Sequence, residues 1–223
     1  MTVSFKLTTK TPIRTQQKLL EHFVAGTTAR AAAALVEVQG RTAVIFYQRL
    51  RQLIASKQES YVLSGEIEAD ESYFGGIRKG RRGRGAGGKV PVFGLLKRGG
   101  KVYTAIIPNA KATTLIPIIR EKVTPDSIVY TDSFMAYDVL DVSEFHHRRV
   151  NHSKTFVSKR GHHINGIENF WNQAKRHLRR FNGIPKESFY GFLKECEWCF
   201  NGRSHNALLK QLKSWYLSET NRS

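Results

Sequence analysis

A few carboxylates in this chain are placed where they could do chemistry. Glu66, Glu68 and Asp70 alternate in sequence, so on a strand all three would crowd one face and repel one another unless cations neutralise them. Asp132 directly follows the apolar run Ser127–Thr131, at the expected C-terminal end of a strand, where open α/β sheets place ligands and catalytic groups. Glu168 is the single acid between Glu144 and Glu187. On a helix, Asn172, Lys175 and Arg179 would project within about 40° of Glu168, beside an apolar stripe of Ile167, Trp171, Ala174, Leu178 and Phe181. Hard carboxylate oxygens suit a divalent ion such as magnesium. Each acid also has a plainer reading: a strand edge neutralised by Lys and Arg, a helix cap at Asp132, or a surface pair of Glu168 with Asn172 or Lys175.

The surroundings of these acids are strongly basic. The 223 residues carry 36 Lys and Arg against 18 Asp and Glu, a net charge of +18. Between Glu71 and Glu121 there is no acid, while eleven Lys and Arg occur. Such a surplus points to a polyanionic partner, nucleic acid first, with a membrane surface or the ribosome as the other candidates. Residues 77–89 combine five Gly with six cations, Arg78, Lys79, Arg81, Arg82, Arg84 and Lys89. That composition reads as a loop suited to phosphate contact, or as a solvated loop. No apolar run approaches the ~20 residues that span a bilayer, and the first residues lack a signal-peptide core. Cys196 and Cys199 form a lone C-x-x-C without a second pair, which is weak evidence for zinc or redox chemistry. A reducing, cytoplasmic location is expected.

The elements that must position the acids follow from periodicity. Residues from about 14 to 55 read as helices, with Leu19, Leu20, Phe23 and Val24 at helical spacing, then an Ala-rich segment, a turn at Val38–Gly40 and an amphipathic segment from Arg41. Two helices joined by a short Gly-containing turn have the form of a helix-turn-helix, with Arg41, Thr42 and Gln48 as candidate groove readers; a plain helical appendage has the same pattern. A strand is expected over 66–74, a hairpin from 90–97 and 101–107 around Arg98–Gly100, and a helix over 112–123 that Pro117 confines or kinks. A strand at 127–131, a short helix at 134–140, a strand at 145–151 and helices over 164–181 and 186–201 complete the order. This is an α/β chain, a mixed sheet with helices on both faces, preceded by a small helical module. The expected domains are a helical DNA-binding module over 1–57, a catalytic domain over 58–205 and a helical tail over 206–223.

Three segments sharpen the reading: Ala69–Gly76 (ADESYFGG), Val129–Asp132 (VYTD) and His163–Arg176 (HINGIENFWNQAKR). There are 61 residues between Asp70 and Asp132 and 35 between Asp132 and Glu168. In combination these resemble bacterial insertion-sequence transposases of the DDE superfamily over roughly residues 60 to 205, in a short form without the N-terminal zinc ribbon of many relatives. The resemblance implies a ribonuclease H-like domain. It implies that Asp70, Asp132 and Glu168 hold two magnesium ions, with manganese as a substitute. Lys175 would contact DNA near the reacting phosphate, flanked by Arg176 and Arg179. It further implies double-stranded DNA as partner, at the element's terminal inverted repeats and at the target. A homodimer or larger synaptic assembly in the bacterial nucleoid is expected. Relatives vary at the third acid, which leaves Asn165 and Asn169 as lesser substitutes for Glu168.

Several alternatives stay open at this stage. His146, His147, His152, His162 and His163 gather near the third acid, but without clean tetrahedral zinc spacing. Tyr73, Phe74, Phe170 and Trp171 could stack on unpaired bases or pack a core. A hydrolytic nuclease of the same fold, or a DNA-binding protein without catalysis, would share most of these features.

Overall fold

The computed structural model describes residues 11–58, 61–75, 88–132, 144–150, 164–181, 183–202 and 204–220. The chain divides into two compact units, one of Met1–Glu59 with His177–Ser223 and the other of Ser60–Arg176. The second unit contains the sheet. β1 (Glu66–Phe74), β2 (Val90–Lys97) and β3 (Val102–Ile106) form an antiparallel meander, and β4 (Ile128–Thr131) and β5 (His146–Arg149) add in parallel beyond β1. The spatial order is β3-β2-β1-β4-β5. Three antiparallel strands followed by two parallel ones, with helices on both faces, make this the ribonuclease H-like mixed sheet.

One sheet face carries Ile67, Ala69, Phe93, Leu95 and Val129, all buried beneath α4 (Ala112–Lys122) through Leu115, Ile116 and Ile119. This α4 continues past Pro117, which has no N–H for the Thr113 carbonyl; both residues are exposed, so water can take that place. The opposite face carries Glu66, Glu68, Asp70, Gly94 and Leu96, and receives α5 (Asn165–Leu178). The helix expected over 134–140 lies outside the described residues.

The other unit is all helical: α1 (Ile13–Val24), α2 (Ala29–Val36), α3 (Gly40–Lys57), α6 (Lys186–Asn201) and α7 (His205–Thr220). The helical stretch before the Gly40 turn is two helices, because Gly26 takes a left-handed conformation after α1 and Thr28 caps α2, its hydroxyl accepting from the Ala31 N–H at 3.3 Å. Glu37–Gln39 link α2 to α3. Leu19, Phe23, Phe46, Tyr47, Leu50 and Ile54 meet Trp198 of α6 and Leu212 and Tyr216 of α7 in one core. Packing therefore joins both ends of the chain, whereas the expected domain limits at 57 and 205 follow chain order. At its centre the Arg51 guanidinium donates to Glu195 Oε2 at 2.6 Å and lies 3.7 Å from the Phe192 ring centroid. His177 Nε2 holds the other Glu195 oxygen at 2.9 Å. Burial alone would raise the Glu195 carboxyl, but the His177 and Arg51 contacts outweigh it and hold the pKa below the ordinary carboxylate value.

Candidate active site

The parallel register of β1 and β4 pairs Glu66 with Ile128, Ile67 with Val129 and Glu68 with Tyr130. Continued by two residues, it sets Asp70 beside Asp132, one at the middle of β1 and the other just past the end of β4. Glu168 enters from above, in the first turn of α5. All three are half-buried. Their proximity is felt at Asp70, whose carboxyl is raised from the ordinary 3.8 to about 6. Burial is the largest cause, and the negative charges of Asp132 and Glu168 add to it, while hydrogen bonds from the Glu71 backbone and Trp171 oppose it.

Glu66 and Glu68, on the same face, are placed differently. Arg98, from the β2–β3 turn, reaches Glu68 Oε1 at 3.1 Å and Glu66 Oε2 at 3.5 Å, and its guanidinium stacks 3.7 Å from the Tyr130 centroid. Tyr130 also donates to Glu66 Oε1 at 2.9 Å. Glu68 is 1% exposed, and its second oxygen accepts the Ile167 backbone N–H at 2.8 Å. A carboxylate there satisfies a first-turn donor of α5 and complements the positive end of the helix. Gly166 allows this approach: a Cβ on it would lie 2.8 Å from Glu68 Oε2 and 2.6 Å from Leu96 Cδ2. Of the three alternating acids, then, two are neutralised by Arg98 and anchor structure. The third faces Asp132 and Glu168.

On α5, Ile167, Phe170, Trp171, Ala174 and Leu178 are buried and Asn172, Lys175 and Arg176 are exposed; the helix ends at Leu178, before exposed Arg179 and half-buried Phe181, which the expected helix over 164–181 had included. Lys175 Nζ lies 5.8 Å from the centroid of Phe74, at the end of β1. Phe74, Phe170 and Trp171 pack in the core and are unavailable to unpaired bases; Tyr73 is half-buried. Lys89 is half-buried just before β2, and Arg78, Lys79, Arg81, Arg82 and Arg84 lie outside the described residues. In the helical unit, Arg41 and Gln48 are exposed on α3 in line with Ile45 and Gln52, while Thr42 is half-buried.

Among the described residues, no three His, Cys, Asp or Glu side chains converge closely enough to enclose an ion. The donor set nevertheless fits a divalent cation: two aspartates and a glutamate offer hard oxygens, and the negative charges of Asp132 and Glu168 add to the burial that raises the Asp70 carboxyl, which a dication would relieve. His147 Nε2 is bonded to Thr131 Oγ1 at 2.8 Å, and His152, His162 and His163 lie outside the described residues. Burial pushes both cysteine thiols up, Cys199 to about 12, so they stay protonated inside α6. Arg98 and Gly94 were not singled out for the site by sequence, while Glu68 was weighed there as one of three candidate metal-binding acids and Trp171 as a base-stacking or core side chain. The one local signal was Gly94, a lone glycine inside a strand, which often marks a close approach.

Strand order and direction define a ribonuclease H-like sheet, with Asp70 and Asp132 side by side on it and Glu168 in the first turn of α5. Residues 62–201 match the ISXO2-like transposase domain model, and the chain belongs to that family, insertion-sequence transposases of the DDE type. A transposase-like protein of Haemophilus influenzae is 64% identical over 115 residues, spanning 50% of this chain and 93% of that protein. A protein of the transposable element ISH50 of Halobacterium salinarum is 31% identical over 186 residues, 75% of this chain. The matched region spans 62% of that relative's length. Among solved structures, the Mos1 strand transfer complex covers 98% of this chain and 80% of its own, with 13% identity and a TM-score of 0.38. A simian T-cell lymphotropic virus intasome covers 85% and 69%, with 12% identity and a TM-score of 0.40. Both TM-scores lie below 0.5, and the fold assignment rests on strand order and direction. No helix among the described residues is long and apolar enough to cross a membrane.

Proposed function

We propose that the chain cleaves DNA at the ends of an insertion sequence and joins the freed 3′-hydroxyl to target DNA. The observation that carries this reading is the placing of Asp70 beside Asp132 on neighbouring strands with Glu168 in the first turn of α5, close enough for both charges to raise the Asp70 carboxyl, in a member of a transposase family. Asp70, Asp132 and Glu168 would hold the divalent metal, two magnesium ions or manganese in their place. When bound, the metal supplies a lowered pKa for the attacking water or hydroxyl and charge stabilisation at the entering and leaving oxygens. In cleavage, a water oxygen bonds to phosphorus as the P–O3′ bond breaks, and the leaving oxygen takes a proton to become the 3′-hydroxyl. In joining, that hydroxyl attacks a target phosphorus, and the target's own P–O3′ bond breaks. Lys175 steadies the scissile backbone as a point charge, with Arg176 and Arg179 alongside.

DNA binding is assigned to two further regions. The α2–α3 pair acts as a helix-turn-helix that reads the terminal repeats through the exposed line of Arg41, Ile45 and Gln48, with half-buried Thr42 at its rim. Arg78, Lys79, Arg81, Arg82, Arg84 and Lys89 hold phosphates. Two element ends require a homodimer or larger assembly. The test is purified protein with magnesium, labelled element ends and an unrelated plasmid. Label joined to the plasmid by the wild type and not by Asp132→Asn supports the reading. Cleavage without joining identifies a hydrolytic nuclease, and tight binding without reaction identifies a DNA-binding protein.

A further inference from the structure

Trp171 makes a polar contact that core packing does not require. Its indole N–H donates to Asp70 Oδ2 at 3.0 Å. The ring occupies the space over Gly94, which is the cross-strand partner of Asp70 in the β1–β2 register. A Cβ on Gly94 would stand 2.5 Å from Trp171 Cζ2, 2.7 Å from Cη2 and 3.0 Å from Ile167 Cδ1. Phe74 closes one side of the slot, its ring centroid 6.0 Å away and steeply tilted, and Phe170 packs at 4.9 Å. The indole therefore has one seat and one aim. An indole N–H can only donate, so the bond selects a carboxylate or carbonyl and fixes how the Asp70 group is turned. Glu168 lies in sequence between this contact and the one from Glu68 to the Ile167 N–H, so two bonds to β1, one helical turn apart, bracket it.

We propose that Trp171 is a positioning residue for the acid site: seated in the slot that Gly94 leaves open, it orients the Asp70 carboxylate and, with the Glu68 bond to α5, sets where Glu168 meets it. This rests on the metal-binding reading of Asp70 given above. A side chain that hydrogen-bonds a metal-holding group acts through that group, and losing it costs about 10- to 100-fold in metal affinity or activity. Trp171→Phe keeps a ring in the slot and removes the donor. Gly94→Ala keeps the donor and fills its seat.

The test titrates Mn2+ into each full-length variant by calorimetry, alongside element-end nicking, DNA affinity and thermal unfolding, with Asp70→Asn as reference. For Trp171→Phe the expected result is Mn2+ binding about 10- to 100-fold weaker and a matching rise in the metal needed for nicking, with DNA affinity and melting temperature near wild type. Gly94→Ala should weaken metal binding in the same direction. A Trp171→Phe protein with unchanged Mn2+ binding and nicking would overturn the proposal. So would loss of nicking in step with melting temperature at unchanged metal affinity, which describes a core residue only. If Asp70→Asn itself binds Mn2+ as the wild type does, the metal-site reading fails, and the positioning role fails with it.

Discussion

Replacing Asp70 by Asn should make the metal-free protein more stable while removing its activity. An acid whose pKa is higher in the folded state than in the unfolded chain holds its proton more tightly when folded, so ionisation costs the fold. For Asp70, stability is therefore greatest below about 3.8 and is lost as the pH rises through about 6. The rise of about 2 pH units, at 1.36 kcal/mol each, corresponds to about 3 kcal/mol of destabilisation above pH 7. Asparagine never ionises, and its amide oxygen can still accept from Trp171. The assay is urea unfolding of wild type and Asp70→Asn in chelator from pH 4 to 8, where the difference between the curves cancels every other titrating group. The advantage of the variant should be near zero at pH 4, open through pH 5 and 6, and level off at about 2–3 kcal/mol. Mn2+ should then stabilise the wild type and not the variant. A variant less stable than wild type at pH 8, or a gap that ignores pH, would refute the claim that burial and the neighbouring carboxylates strain this site.

Other expectations follow from individual contacts. Glu68→Gln turns one of two acceptors into a donor facing either Ile167 N–H or Arg98, and should cost about 2–3 kcal/mol in urea unfolding as well as slowing nicking. Arg51→Ala leaves the Glu195 carboxylate, whose side chain is 3% exposed, with one cationic partner fewer, and should cost about 3–5 kcal/mol by the same measurement. Affinity for element ends should fall steeply with salt, about 10³-fold or more between 50 and 200 mM if six or more phosphates are contacted. Arg41→Ala should weaken binding to element ends more than to unrelated DNA in competition gel shifts.

Much of the site was legible because its signals are local. Alternation placed Asp70 on the face with Glu66 and Glu68, an apolar run ended at Asp132, and helical spacing separated the buried stripe of α5 from Glu168 and Lys175. Periodicity cannot say which of three equivalent carboxylates is paired with a cation and which is left facing Asp132 and Glu168. That choice is made by Arg98, 30 residues from Glu68 in sequence, whose guanidinium engages two acids and the Tyr130 ring. Trp171 was read correctly as buried, but the partner of its N–H comes from β1, 101 residues away. In the helical unit, Gly26 and Thr28 are local stop and start signals, and the Ala-rich segment begins in sequence where α2 is capped. The grouping of α6 and α7 with α1–α3 had no local signal at all, since an amphipathic face states that it is covered and not by what.

That grouping has a consequence during synthesis. Ser60–Arg176 is one uninterrupted stretch, so the sheet unit can close as soon as it leaves the ribosome. The faces of α1 and α3 that bury Leu19, Phe46 and Leu50 must wait for Trp198 and Leu212, more than 140 residues later. At about 5–20 residues per second the wait is on the order of ten seconds or more, during which the first-made helices lie open to chaperones. A nascent chain thus owns its acids before its helical module is complete, and translation that stops early leaves that module unfinished.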